Sequence, residues 1–233
     1  MRNEAQPAPD VNQCIEPVQQ NLVILLDHSD HATLQTHEEI IARSLKQVQT
    51  IPSNTRVTLF AISRTSQREL KPLFSACRPP DDGSILTENV KKVRRSYEEN
   101  FRRPLQRALA QSIAVSDQSP LAQSITDISL TQYLRAPRNT LLVFSDMLEN
   151  TKAFSLYRCS NGDGAIQEYR QARAGAQERP QFSNATILLN FIPRYDLPKE
   201  TLSCRATFWN WFFGDNKGAG SIQSDFLPGG DTK

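Results

Sequence analysis

The chain has 233 residues, 38% hydrophobic and 22% charged, enough apolar material for a sizeable core and too little charge for a disordered polymer. Lys plus Arg number 27 against 25 Asp plus Glu, a net charge of +2, which excludes a general electrostatic pull toward nucleic acid or anionic membrane. The longest apolar run, Leu22 to Leu26, is far too short to span a bilayer, and the polar stretch from Met1 to Pro17 has no apolar signal core.

The first strong signal is Asn21-Leu-Val-Ile-Leu-Leu-Asp27. A short continuous apolar run ending in a carboxylate predicts a central strand, buried on both faces. The polar loop His28-Ser-Asp-His-Ala-Thr33 follows. Leu34, Ile40, Ile41, Leu45 and Val48 then recur at helical spacing and predict a helix from Thr33 to Gln49. Pro52, Ser53 and Asn54 end it. Thr55 to Ile62 reads as a second strand, with Val57, Leu59 and Ala61 on one face and Phe60 and Ile62 on the other. Strand, helix, strand is a βαβ unit, so these strands are expected to be parallel. After the polar turn Arg64 to Arg68, Glu69 to Phe74 predicts an antiparallel edge strand, a position that tolerates Pro72.

Leu86, Val90, Val93, Tyr97, Phe101, Leu105, Leu109 and Ile113 step by three or four along a helical stretch. Pro104 interrupts it and predicts a break near Arg102. Lys91, Lys92, Arg94, Arg95, Arg102, Arg103 and Arg107 lie mostly off the apolar face. A nucleic-acid-binding helix and a solvated face are both readings of that pattern. Glu88, Glu98 and Glu99 dilute the charge and favour the second. Ser119 reads as a helix N-cap with Pro120 at the first helical position. Thr140 to Asp146 is a fourth strand. A helix around Ala165 to Ala176, a strand from Asn184 to Ile192 and a helix from Leu202 to Phe213 follow. Ser221 to Leu227 reads as a final short strand. The order β-α-β-β-α-α-β-α-β-α predicts a doubly wound, Rossmann-like α/β sheet, mostly parallel, with one antiparallel edge strand and helices on both faces. The expected division is a tail over 1–19, one domain over 20–227 and a tail over 228–233.

Binding sites in such sheets form beyond the carboxyl ends of the parallel strands. Three segments reach that edge: Asp27, Ser29, Asp30 and His31 after the first strand, Ser119 at a helix start, and Ser145 and Asp146 after the fourth. Carboxylates and hydroxyls converging there make a hard, oxygen-only site, suited to Mg²⁺, Mn²⁺ or Ca²⁺ rather than zinc. The plainer reading of Asp27 and Asp146 is structural, as carboxylates that accept loop N–H bonds. His28 and His31, with Asp27 and Asp30, are a less favoured transition-metal set, since no cysteine is adjacent.

Asp27-x-Ser29, Ser119-Pro-Leu-Ala and Ser145-Asp146, in that order, resemble the metal-ion-dependent adhesion site (MIDAS) of von Willebrand factor A domains. That family carries Asp-x-Ser-x-Ser after its first strand, a Thr heading a helix, and Thr-Asp-Gly after its fourth strand. The resemblance covers roughly Gln20 to Phe213. It implies that Asp27, Ser29 and Ser119 face a metal, with Asp146 direct or through water. His31 stands where the second Ser is expected, so Asp30 or Thr33 is the substitute ligand, with Ser145 auxiliary; Met147 replaces the Gly. The implied function is a non-enzymatic protein-binding or scaffold module, in which the metal captures an Asp or Glu carboxylate of a protein partner. The alternative is a metal-dependent hydrolase using Asp27, Asp30 and Asp146 with His31 as base. No Gly-x-Ser-x-Gly elbow, phosphate-cradling loop or His-Glu-x-x-His supports that alternative.

Phe208, Trp209, Phe212 and Phe213 share one face of the last helix; Trp211 points elsewhere and is the candidate partner contact. Cys14 and Cys77 are expected at the bottom of the sheet, Cys159 and Cys204 near its top. The fold permits both pairings and leaves open whether the sulfurs are bonded. A soluble protein of bacterial type, cytoplasmic or periplasmic, is the expectation.

Overall fold

The structure is a computed structural model that describes residues 14–27, 33–62, 71–81, 89–111, 118–214 and 219–228. In chain order its elements are β1 (Gln20–Asp27), α1 (Leu34–Thr50), β2 (Arg56–Ile62), β3 (Phe74–Cys77), α2 (Val90–Tyr97), a π-helical segment (Glu98–Arg102), α3 (Arg103–Leu109), α4 (Leu121–Ser129), β4 (Arg138–Ser145), α5 (Gly162–Ala172), β5 (Ala185–Phe191), α6 (Lys199–Phe213) and β6 (Ala219–Phe226).

The strands form one sheet in the order β3-β2-β1-β4-β5-β6. β3 is antiparallel to β2 and every other pairing is parallel. β1 is buried from Asn21 to Asp27, as the apolar run requires of a central strand. Side chains alternate across it. Leu22, Ile24 and Leu26 join Val57 and Leu59 beneath α1, α2 and α3, where Ile40, Val48, Phe101 and Leu105 cover them. Val23 and Leu25 join Phe60, Ile62, Leu141, Val143 and Ile187 under α4, α5 and α6. The sheet is therefore doubly wound. The chain winds from β1 outward to β3, returns, and continues from β4 outward to β6. The reversal point lies between β1 and β4, the place where sheets of this kind form ligand sites at the strands' carboxyl ends.

The short strand expected over Glu69–Phe74 lies later, at Phe74–Cys77. Pro72 has no N–H to give a ladder; the first bond across is from the Leu73 N–H to the Leu59 carbonyl, at 2.8 Å. The break expected at Arg102 is the π-helical segment directly before Pro104. One extra residue in that turn lets the carbonyl that would clash with the proline ring swing clear. Leu86 and Ile113 lie outside the described residues. The expected helix at 165–176 runs earlier, Gly162–Ala172, because Asn161 caps it by accepting from the Gly164 N–H at 2.7 Å.

Both cysteine pairs are disulfides. Cys14–Cys77 ties the segment before β1 to the edge strand, and Cys159–Cys204 ties the loop after β4 to α6. No described helix is long and apolar enough to cross a membrane.

Candidate site at the carboxyl edge of the sheet

Asp27 ends β1 and is 8% exposed. Leu26 faces Phe144 across the β1–β4 ladder, so one step on Asp27 lies beside Ser145. The Ser145 hydroxyl donates to Asp27 Oδ2 at 2.7 Å and accepts from the Met147 N–H at 2.8 Å. Ser119 arrives from a third segment. Its backbone pairs with Asn150 in both directions, at 2.7 and 2.9 Å, which pins it beside the loop after β4. Its hydroxyl donates to the same Asp27 oxygen at 2.9 Å. Asp27, Ser119 and Ser145 thus form one buried oxygen cluster drawn from three segments.

Ser119 is not the N-cap of α4. Pro120 occupies that position and offers no side-chain cap. The work falls to Glu149, whose carboxylate accepts from the Ala122 N–H at 2.6 Å and from the Leu121 N–H. The helix start thus obtains its acceptor from another loop, and the Ser119 hydroxyl turns to Asp27. Glu149 is 2% exposed. Burial pushes its carboxyl up from 4.5 to about 8, opposed by the bond from Ala122.

Asp146 belongs to a second cluster. Its Oδ1 accepts from the Leu148 N–H at 2.9 Å. Its Oδ2 accepts from Arg194 Nη1 at 3.0 Å, in a pair whose side chains are 10% and 4% exposed. Arg194 also donates to both oxygens of Asp196, at 3.1 and 3.2 Å, and to the Tyr157 hydroxyl at 3.1 Å. Arg205 donates to the Asp146 carbonyl at 2.8 Å; burial lowers its guanidinium's pKa, against the pull of Asp146. Met147 has φ 61°, the left-handed region where glycine is at ease. Its carbonyl accepts from Trp209 Nε1 at 2.7 Å.

Thr33 is the N-cap of α1, accepting from the Thr36 N–H at 3.2 Å. His28, Ser29, Asp30 and His31 lie outside the described residues. Trp211 is half-buried, with its ring 6.0 Å from Tyr169 and 5.8 Å from Phe208, and Arg179 lies over it at 5.3 Å. Arg194, Tyr157, Arg205 and Glu149 were not singled out from the sequence. Arg194 had a readable signal, since it follows β5 at the same edge. The others are brought in by loops and by α6, which no local pattern places there.

The donor set around Asp27 is carboxylate and hydroxyl oxygen, which fits a hard divalent cation. Asp146 stands differently, because a guanidinium already neutralises it. Among the described residues no group of three or more His, Cys, Asp or Glu side chains is gathered for a metal, so any cation here relies on serine oxygens.

No protein-family model matches the chain, and no curated protein does. Among solved structures it is similar to the human COPII-coat protein Sec24c, at 9% identity and a TM-score of 0.37. The match covers 90% of this chain, which spans 30% of the Sec24c chain. A likeness of that size carries no argument about function.

Proposed function

We propose that this domain is a protein-binding module of the von Willebrand factor A type, working through the loops above β1 and β4. The observation that carries the reading is the meeting of Ser119 and Ser145 on one oxygen of Asp27 at the reversal point of the sheet. Three separate segments supply it, in the order the adhesion-site pattern requires. Asp27, Ser29 and Ser119 are the residues that would hold a divalent cation, Mg²⁺ or else Mn²⁺ or Ca²⁺, with Ser145 beside them. Bound there, the cation supplies a point charge for an Asp or Glu carboxylate of a protein partner. Asp146 supports the loop from its ion pair with Arg194. The two disulfides fit a compartment that keeps thiols oxidised, and so favour the periplasmic setting over the cytoplasmic one.

Calorimetric titration with Mg²⁺, Mn²⁺ and Ca²⁺ tests the reading. Wild type is expected to bind one equivalent and Asp27→Ala none, with the variant's thermal transition still cooperative. Arg194→Ala, which removes the cation beside Asp146, is expected to bind more tightly. Absence of binding in wild type and in Arg194→Ala alike would sink the metal reading.

A further inference from the structure

A cavity of about 270 Å³ lies behind the loop that follows β4. Pro120 and Gln123 of the α4 start, Glu149 and Lys152 of the loop, and Tyr169 and Arg173 at the far end of α5 line it. Tyr169 is 2% exposed, and among the described residues its hydroxyl has no hydrogen-bond partner. Arg173 Nε is also buried without one, although Nη2 of the same guanidinium donates to the Gln177 carbonyl at 2.9 Å and holds it in place. Native proteins rarely leave buried donors unmatched, because each one has given up its bonds to water without replacement. Glu149 does not fill the need: its carboxylate accepts from the Leu121 and Ala122 N–H groups and bonds neither of these donors.

We infer that this cavity is a binding site for a carboxylate, received by Tyr169 Oη and Arg173 Nε, with Lys152 at its rim. Two unmatched donors and two cationic side chains call for an anionic acceptor. Asp127 and Glu149 stand close enough to interact with Arg173, which favours a singly charged group over a phosphate dianion. The volume suits a small organic acid or one acidic side chain of a peptide. The site is separate from the Asp27 cluster and does not depend on a metal there.

The test is a titration of the whole chain, followed by backbone amide NMR, with three probes: propionate, a blocked Gly-Glu-Gly peptide and inorganic phosphate. Saturable shifts confined to the first turn of α4 and residues 151–154 are expected. Propionate alone identifies a free acid as the source, and the peptide alone a partner's side chain. Tyr169→Phe is the discriminating variant. Removing a buried hydroxyl that has no partner leaves stability equal or higher, so lost binding cannot be blamed on unfolding. A loss of about tenfold, or 1.4 kcal/mol, is expected there, and a larger loss in Arg173→Gln. No saturable carboxylate binding, binding of phosphate only, or equal affinity in wild type and Tyr169→Phe would each overturn the proposal.

Discussion

Asp27 ends β1 and Asp146 directly follows β4, one residue out of step, and that offset separates their chemistry. Leu26 lies opposite Phe144, so Asp27 and Ser145 share a face, while Asp146 falls one step later and turns the other way. Asp27 collects hydroxyls; Asp146 meets Arg194. Met147 shows a similar compromise. Its φ of 61° suits glycine, yet its side chain is fully buried in the core. Met147→Gly would relieve about 1 kcal/mol of backbone strain and forfeit about 2–5 kcal/mol of buried side chain. A net destabilisation of about 2 kcal/mol is expected by urea denaturation. A stabilised variant would mean that strain, and not packing, dominates at this position.

At the scale of elements, the start of α4 is the instructive place. Ser119-Pro120 has the form of a cap followed by a first helical proline, but the cap comes from Glu149 across the loop. That arrangement makes a buried acid part of the fold. Its carboxyl is raised to about 8 when folded and returns to its ordinary value near 4.5 when the chain unfolds. The folded state therefore holds the proton more tightly. The stabilisation is complete below the unfolded value and is lost as pH rises through the folded one, at about 1.4 kcal/mol per unit of pH. Glu149→Gln keeps an acceptor for the two N–H groups and removes the titration. Thermal midpoints of the two proteins, compared from about pH 4 to about pH 9, should diverge as pH rises, with wild type losing more. Parallel curves would show that Glu149 titrates normally. The broken helix before Pro104 was legible in the sequence because a proline interior to a periodic run has only a few solutions. Its form, a π turn, was not.

Over the whole molecule, the two disulfides tie together segments that are far apart in sequence. Cys14–Cys77 closes a sequence separation of 63 residues and holds the segment before β1, where Glu16 also pairs with Arg56 at 2.7 Å. Cys159–Cys204 closes 45 residues and binds the Tyr157 loop to α6 beside Arg205. Both of those neighbours touch Asp146 or its arginine. Each bridge is worth about 2–4 kcal/mol. Reduction, or a Cys159→Ser/Cys204→Ser pair, is expected to lower the melting temperature by roughly 5–15 °C in calorimetry. An unchanged midpoint would mean that the bridges add nothing the fold lacks.

The order of elements, the parallel sheet and the faces of β1 and β2 follow from hydrophobic periodicity, a property of residues close in the chain. Residues 57, 59 and 61 opposed to 60 and 62 could be read directly, since a strand has a period of two. Asp27 and Ser145 were readable together for a related reason: the ends of neighbouring strands lie side by side. What only the tertiary structure decided is which long-range partner each polar group takes. Glu149 caps a helix 27 residues away, and Arg194 neutralises an aspartate 48 residues away. Such pairings follow from which groups burial leaves in need of a partner, and that is set only when all the layers are packed.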